Sequence, residues 1–319
     1  MNILITGAGG FVAKHLIARL QQDNHHLMGI DVRTEGISKQ VQAVELDLTQ
    51  AHQTEMLIKD FKPQRIYHLA AQSSVSHSWD QPIDTFRANV FGAINLLQAV
   101  KNQAPECRVL AVCTAEEYRP AHQDRAIGED YPIFPQNPYA ISKAAMDFFS
   151  LTYSKAYHME VFVTRSFNHM GPGQSERFAA SDFARQVARI EAGLAPPVIR
   201  VGNLGAYRDF LDVRDVVAAY QAILERGRRG LPYNVCSGKK TKIEQILHIL
   251  IGLSSRSGQI KVEVDKKKFR PIDTASIYGD NSRLRKDTGW KPAYSIQTSL
   301  AHVLEWWRQT VKKEERSKK

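Results

Sequence analysis

The first half of the chain alternates short apolar runs with longer segments whose apolar residues recur every three or four positions. The short runs are typical of buried strands, and the longer period is typical of helices packed on a sheet. The predicted strands are residues 2–6, 26–31, 44–47, 65–69, 108–113 and 161–164. The predicted helices are residues 11–22, 50–59, 82–102 and a segment that carries Tyr139 and Lys143. This order predicts an α/β protein with a doubly wound parallel sheet.

The alternation ends near residue 168, where short strands, loops and helices follow with basic residues between them. We expect residues 1–167 to form mainly the sheet domain. Residues 168–311 are expected to form mainly a smaller lobe, with some segments that belong to the sheet domain. A lobe in this place covers the carboxyl ends of the strands, where ligands of such sheets bind. Residues 312–319 are expected to be a frayed basic tail.

The composition favours a folded protein without a membrane span. Of the 319 residues, 43% are hydrophobic, and no run of eighteen apolar residues occurs. The chain opens on a predicted strand, so we expect no signal peptide. Three scattered cysteines fit neither a disulfide framework nor a zinc site, and a cytoplasmic protein is the simplest interpretation.

The net charge of +10 does not identify a partner by itself. The terminal run 311–319 holds five Lys or Arg residues and two Glu, and it lacks the apolar face that membrane binding needs. No recognition helix, finger or ribonucleoprotein motif accompanies the charge, so we expect no nucleic acid partner. His68, His77 and His169 lack the compact spacing of metal ligands, and we predict no metal site.

A glycine-rich turn, Gly7-Ala-Gly-Gly-Phe-Val-Ala13, follows the first strand and opens the first helix. Glycines let the backbone approach a diphosphate closely, and the helix N-terminus supplies N–H donors with positive potential. Ala13 replaces the third glycine of the common pattern and still allows close packing of helix on strand. The residues that we predict to contact a dinucleotide are Gly7, Gly10, Phe11 and Val12.

The end of the second strand bears on the choice of cofactor. A carboxylate at Asp31 can accept hydrogen bonds from both ribose hydroxyls of NAD and would repel the 2′-phosphate of NADP. Arg33, two residues on, could instead bind that phosphate. We favour NAD(H), with NADP(H) as the alternative.

Later strand ends supply further candidate cofactor contacts. Asp47 and Leu48 could reach the adenine, and the small residues Leu69-Ala70-Ala71 follow the fourth strand, where the dinucleotide would run. Asn89 in the long predicted helix could brace a loop or a water there, or lie on the helix surface as a simple amide.

Tyr139 and Lys143 lie four residues apart on a predicted helix and therefore share one face. A nearby ammonium favours the phenolate, so we expect the pKa of Tyr139 to fall from about 10 toward the working range. Such a tyrosine can exchange a proton with a sugar hydroxyl or carbonyl. The pair alone is weak evidence, because the spacing occurs by chance in many helices.

The glycine turn, the segment Thr114-Ala-Glu116 after the fifth strand, and the Tyr139/Lys143 pair together resemble the extended short-chain dehydrogenase/reductase family of nucleotide-sugar epimerases and dehydratases. The resemblance covers nearly the whole chain and implies a Rossmann domain with a substrate lobe. It also implies that Thr114 bonds the sugar 4-oxygen and that Tyr139 is the acid/base. Lys143 would hold the nicotinamide ribose, and Glu116 matches the family's catalytic glutamate.

Three later segments resemble the members of this family that modify GDP-mannose. Asn168 lies in the segment that receives the substrate in those members. Arg208 and Arg270 match arginines that grip the diphosphate, which suits the bidentate geometry of guanidinium and phosphate. Asp273 matches a position that contacts the nucleoside, with Asp in place of the usual Glu. The resemblance therefore implies a GDP-sugar substrate, and a homodimer formed through the helix of Tyr139 and its long neighbour.

The resemblance leaves the reaction open between several activities. Ala115 stands where dehydratases usually place an Asp or Ser that assists loss of the C6 hydroxyl. We therefore favour reduction of the C4 ketone of a GDP-4-keto-6-deoxyhexose by a nicotinamide cofactor, in deoxysugar and cell-surface polysaccharide biosynthesis. The alternative is GDP-mannose 4,6-dehydration or sugar epimerisation with retained NAD. Asp31, which favours NAD, agrees better with this alternative than with a reductase. A non-catalytic nucleotide-binding protein is a remote alternative.

Overall fold

A computed structural model describes residues 1–120, 125–269 and 275–316 of the chain. Its centre is a parallel sheet of seven strands in the order β11-β6-β5-β4-β1-β2-β3. These strands are β1 (Asn2–Thr6), β2 (His26–Asp31), β3 (Gln42–Glu45), β4 (Arg65–His68), β5 (Arg108–Thr114), β6 (Val161–Ser166) and β11 (Pro232–Val235). The predicted doubly wound sheet is confirmed, and all six strands predicted from the first half are present.

Helices connect and cover these strands. In the first half they are α1 (Phe11–Leu20), α2 (Ala51–Phe61), α3 (Val75–Asp80), α4 (Pro82–Phe86), α5 (Gly92–Gln103) and α6 (Pro138–Tyr157). In the second half they are α7 (Ala179–Glu191), α8 (Val213–Arg226), α9 (Ile243–Gly252), α10 (Ser282–Thr288) and α11 (Ile296–Arg316). The remaining strands are β7 (Asn168–Met170), β8 (Val198–Val201), β9 (Tyr207–Arg208), β10 (Phe210–Asp212), β12 (Thr241–Lys242), β13 (Lys261–Val264) and β14 (Ser276–Ile277).

Alternate residues of β1 enter different cores on the two faces of the sheet. Ile3 and Ile5 pack in the core that includes side chains of α1 and α8. Leu4 packs in the opposite core, which includes side chains of α2 and α5. Both faces are therefore apolar, which explains why the strands read as nearly continuous hydrophobic runs.

The long helix predicted over residues 82–102 is interrupted. A wide π turn, Arg87–Phe91, separates α4 from α5, and the short helix α3, which the sequence did not predict, precedes them. Asn89 lies in the wide turn with its side chain fully buried, and π turns of this kind often occur at functional sites.

The second half adds one strand to the main sheet and builds a core of its own. β11 pairs with β6 at the edge of the sheet. α7, α9 and α11 enclose a separate cluster that includes Ile246, Leu304 and Trp307. α11 continues to Arg316, so it extends into the segment that we expected to be a frayed tail; buried Val311 anchors this last part of the helix. None of the helices among the described residues is long and apolar enough to span a membrane.

Candidate active site

The glycine-rich turn lies where β1 leaves the sheet. Gly7 has a φ of +67°, and a Cβ atom at this position would lie 2.7 Å from the backbone nitrogen of Ala70. The turn is closed by a hydrogen bond from Gly10 N–H to Gly7 O of 3.0 Å. Gly10 also precedes α1 without any side-chain cap, so no side chain covers the first N–H groups of the helix. Such a turn suits the diphosphate of a dinucleotide.

Asp31 is held at the tip of β2 next to this turn. One carboxylate oxygen accepts from Gly9 N–H at 3.0 Å, and the other accepts from Val32 N–H at 2.8 Å. Arg33 is exposed on the loop that follows. The carboxylate therefore stands beside the glycine turn in a fixed orientation. Asp47 lies exposed in the loop after β3, whereas Leu48 is buried against Gly92 of α5.

The loop after β4 carries Leu69, Ala70 and Ala71, which are all partly buried. Asn89 braces this loop: its Oδ1 accepts from Gln72 N–H at 2.7 Å and its Nδ2 donates to Gln72 O at 3.0 Å. The same Nδ2 lies 2.9 Å from Ser142 Oγ on α6. The bracing role considered for Asn89 is confirmed, and the π turn is what directs this side chain to both partners.

Tyr139 and Lys143 lie in the first two turns of α6. Asn137 caps this helix, since its Oδ1 accepts from Ala140 N–H at 2.8 Å, and Pro138 occupies the first helical position. The Thr114 side chain at the end of β5 lies close enough to the Tyr139 hydroxyl to lower its pKa. The structure therefore brings two predicted catalytic residues, Thr114 and Tyr139, close together.

The expected lowering of the tyrosine pKa is wrong for this structure. Tyr139 keeps some exposed surface, but its hydroxyl is enclosed by protein. This enclosure raises the pKa of Tyr139, the charge of Glu116 raises it further, and the nearby Thr114 side chain lowers it only partly. Burial also lowers the pKa of Lys143, whose ammonium lies 3.6 Å from Met146 Sδ. Desolvation of a phenolate thus outweighs attraction to the ammonium, and Tyr139 is protonated at neutral pH.

Glu116 reaches the same place from the turn after β5. Its Oε2 accepts from Asn137 Nδ2 at 2.9 Å, so a single asparagine both caps α6 and fixes the glutamate. No role was predicted for Asn137 from the sequence. The signal was available, since an Asn directly before a Pro at the start of a helix is a capping pattern.

The predicted substrate residues lie on the second half of the chain. Asn168 is exposed at the start of β7 and pairs with Phe210 of β10, two residues beyond Arg208. Arg208 is partly buried and donates to Tyr207 O at 2.8 Å. These two residues therefore occupy neighbouring segments. Arg270 and Asp273 lie outside the described residues.

Two contacts that the sequence did not predict join the substrate segment to the cofactor turn. The ring of Phe11 stacks on His169 with centroids 6.1 Å apart and an interplanar angle of 6°. His15 Nε2 lies 2.8 Å from Pro172 O. Beside Arg208, the buried carboxylate of Asp209 accepts from the N–H groups of Ser237, Gly238 and Gly279. The contacts of Phe11 and His15 hold the segment of β7 beside the glycine turn, and those of Asp209 hold the end of β9 to the loops after β11 and β14.

The doubly wound sheet, the glycine turn and the Tyr139/Lys143 helix define an extended short-chain dehydrogenase/reductase. More narrowly, residues 4–303 match the family described as GDP-mannose 4,6 dehydratase, and the chain belongs to that family.

Whole-length relatives are nucleotide-sugar enzymes. The chain is 33% identical to GDP-6-deoxy-D-mannose reductase of Pseudomonas aeruginosa, over 98% of this chain and 99% of the relative. It resembles the structure of RMD from Pseudomonas aeruginosa complexed with NADPH, with a TM-score of 0.83, 32% identity, and coverage of 97% and 99% of the two chains. UDP-glucose 4-epimerase of Thermus thermophilus complexed with NAD gives a TM-score of 0.85 at 25% identity, with coverage of 97% and 99%. The protein is a nicotinamide-dependent nucleotide-sugar enzyme.

Proposed function

We propose that the protein reduces the C4 ketone of a GDP-4-keto-6-deoxyhexose. The observation that carries this proposal is the 33% identity, over nearly the full length of both chains, to a reductase whose name specifies GDP-6-deoxy-D-mannose. The proximity of Tyr139 to Thr114 supports it, because the two residues supply a proton donor and a second hydroxyl in one part of the site.

Each of these residues has a separate role in such a reduction. The glycine turn and Lys143 hold the cofactor, which supplies a hydride to C4 when it is bound. Tyr139 donates its proton to the C4 oxygen as that oxygen gains charge, and the Thr114 hydroxyl shares the developing charge. Glu116, fixed by Asn137, binds a sugar hydroxyl. A protonated tyrosine is the form needed at the start of a reduction, and the raised pKa of Tyr139 favours that form.

Ala115 supports reduction over dehydration. Its methyl group is buried and cannot donate a proton to a departing C6 hydroxyl. Dehydration remains the second candidate, because Glu116 is placed near Tyr139 and the family carries the dehydratase description.

A direct assay separates the two reactions. Purified protein is given GDP-4-keto-6-deoxymannose with NADH or NADPH, and nicotinamide oxidation that depends on the keto sugar is expected, with a GDP-6-deoxyhexose as product. GDP-mannose and NAD are supplied in a parallel reaction, where no keto sugar is expected. Formation of the keto sugar from GDP-mannose without added reductant would replace the reductase proposal with the dehydratase.

We propose a GDP nucleotide because of the segments that carry Asn168 and Arg208, with Arg270 and Asp273 as further contacts. Arg208 would bind the diphosphate and Asn168 the sugar side of the substrate. The same assay with UDP- and dTDP-linked keto sugars tests the base. Equal turnover of all three nucleotides would contradict recognition of guanine.

We propose that NADH is preferred over NADPH. Gly9 and Val32 fix the Asp31 carboxylate beside the glycine turn, and a 2′-phosphate bound next to this carboxylate would be repelled by its charge. Asp31→Asn is expected to lower the ratio of kcat/KM for NADH over NADPH by about tenfold, equivalent to ~1.4 kcal/mol. Exposed Asp23, at the far end of α1, provides the control Asp23→Asn. An unchanged ratio in Asp31→Asn would show that this carboxylate does not select the cofactor.

We also propose a cytoplasmic homodimer. The three cysteines are buried free thiols, which suits a reducing compartment. The packed helices α4 and α6 both expose apolar side chains, Ile83 and Phe91 near α4 and Ile141 and Phe148 on α6. A groove of about 390 Å³ beside them is lined by Pro82, Ile83, Phe86, Arg87 and Phe91. Exposed apolar surface of this kind marks association sites.

The charge-introducing variant Phe148→Glu is expected to convert the dimer to a monomer, measured by light scattering after gel filtration. A buried carboxylate at the centre of an apolar interface has no counter-charge. Leu253→Glu is the control, because Leu253 is similarly exposed but lies at the end of α9. A wild-type protein that elutes as a monomer, or a Phe148→Glu variant that remains a dimer, would contradict this interface.

A further inference from the structure

Two carboxyl groups lie beside the catalytic residues without a role in the mechanism above. Glu117 ends the turn that follows β5, and Asp147 lies on α6 one turn beyond Lys143. Their side chains are 0% and 1% exposed. Two ionised carboxylates this close and this deep would repel strongly, so their charge state needs an explanation.

Each carboxyl group has one oxygen with a donor and one without. Glu117 Oε1 accepts from Thr114 N–H at 3.0 Å, and Asp147 Oδ2 accepts from Arg165 Nε at 2.7 Å. Glu117 Oε2 and Asp147 Oδ1 are buried and have no donor within the described part of the chain. An oxygen of Glu117 nevertheless lies within 4.8 Å of an oxygen of Asp147. Because a carboxylate oxygen only accepts, a bond between them requires one proton.

We propose that Glu117 and Asp147 share this proton, that it resides on Glu117, and that the neutral Glu117 carboxyl positions Thr114 relative to α6. Arg165 determines which carboxyl group holds the proton, since its Nε lies 2.7 Å from Asp147 but 3.8 Å from Glu117. The closer carboxylate keeps the negative charge and forms a neutral pair with the guanidinium. The Glu117 proton then gives both unpartnered oxygens a bond and leaves no uncompensated buried charge.

This arrangement connects the two elements that carry the reaction. Thr114 N–H donates to Glu117, and the shared proton joins Glu117 to Asp147 of the helix that holds Tyr139 and Lys143. A neutral Glu117 also spares Tyr139 a second negative neighbour, since an ionised Glu117 raises the pKa of Tyr139. The charged and titratable groups that face Glu117 are Cys113, Tyr118, Tyr139, Lys143, Asp147 and Arg165.

A metal ion is the other species that could join these carboxyl groups. Cys113, Glu117 and Asp147 each offer a ligand atom, and these atoms lie within 4.8 Å of one another. The guanidinium of Arg165, however, is bonded to Asp147 and occupies the place of the counter-cation. A second cation beside it would be repelled, so a proton fits the cluster better than a metal.

The first test needs no substrate and is therefore independent of the proposed function. The infrared spectrum of the full chain at pH 7 is expected to contain a protonated-carboxyl band that is missing from Glu117→Gln. Identical spectra in this region would overturn the proposal. Gln is the matched replacement, since its oxygen accepts from Thr114 N–H and its amide donates to Asp147.

The pH dependence of stability gives a second substrate-independent measurement. Burial and then Asp147 raise the pKa of Glu117 well above its ordinary 4.5. The raised pKa makes a contribution to stability that is complete below about pH 4.5 and is lost as the pH rises toward the folded-state pKa. The Tm of wild type minus that of Glu117→Gln is therefore expected to fall with rising pH. An increase would mean that Glu117 is ionised in the folded protein, which contradicts the proposal.

The positioning role rests on the proposed reductase function and is tested by kinetics. Glu117→Leu is expected to lower kcat about tenfold with KM nearly unchanged, because small displacements of catalytic groups are costly. Glu117→Gln is expected to restore most of the loss, and Asp147→Asn to have a lower Tm than Glu117→Gln at pH 7. A low kcat in Glu117→Gln with an intact Tm would show that a charge on Glu117 is needed. If Glu117→Leu does not fold, the comparison of Glu117→Gln with Asp147→Asn still decides the placement of the proton.

Discussion

Tyr139→Phe is expected to lower kcat by about 10²- to 10⁴-fold, the range typical of a lost general acid. The phenyl ring fills the same space on α6, so the fold and the cap by Asn137 are retained. Without the hydroxyl, the residue beside Thr114 can no longer deliver a proton to the C4 oxygen. The measurement is the steady-state rate of nicotinamide oxidation with the keto sugar at saturation.

Cofactor binding provides the internal check on Tyr139→Phe. Its dissociation constant, measured by fluorescence titration, is expected to change little, because the glycine turn and Lys143 are untouched. Tyr153→Phe is the matched control on the same helix, where the hydroxyl donates to Gln98 at 3.2 Å on α5. Its kcat is expected to equal that of wild type. If Tyr139→Phe kept the wild-type kcat, another group would have to be the proton donor.

The sequence was sufficient for the parts of the fold that depend on local pattern. Strands such as β1 and β2 were placed correctly because their runs are apolar on both faces and bounded by Gly, Asp or polar residues. The start of α6 can be predicted from Asn137 and Pro138, because an Asn before a Pro is a helix-capping pattern. The π turn at Asn89 could not be predicted from local pattern, because the buried amide that it positions bonds residues 17 and 53 positions away along the chain.

The electrostatics of the site could not be derived from spacing alone. Tyr139 and Lys143 at positions i and i+4 suggested a lowered tyrosine pKa, but burial of the hydroxyl has the larger effect. Similarly, Glu117 is next to Glu116 in the chain, yet the Glu116 side chain reaches Asn137 while the Glu117 side chain is buried near Asp147. The difference comes from the direction of each side chain in the turn, which depends on tertiary packing.

Arg165→Met is expected to lower the free energy of unfolding by about 3–5 kcal/mol, the usual cost of leaving a buried charge without its partner. The guanidinium is only 5% exposed, bonds Asp147 at 2.7 Å, and also donates to Glu129 O at 2.8 Å and Tyr118 Oη at 3.2 Å. Methionine fills part of the volume but satisfies none of these acceptors. Urea denaturation at pH 7 measures the loss as a lower midpoint.

Arg228→Met is the matched control for this prediction. Arg228 Nε lies 2.8 Å from Asp287 Oδ2, nearly the same contact as that of Arg165 with Asp147, but its side chain is 61% exposed. Asp287 keeps a hydrogen bond from the Tyr233 hydroxyl at 2.8 Å when this largely exposed arginine is removed, so the midpoint is expected to shift far less than in Arg165→Met. Equal shifts in the two variants would mean that Arg165 contributes no more than a surface ion pair. Asp147 and Glu117 would then need another source of neutralisation.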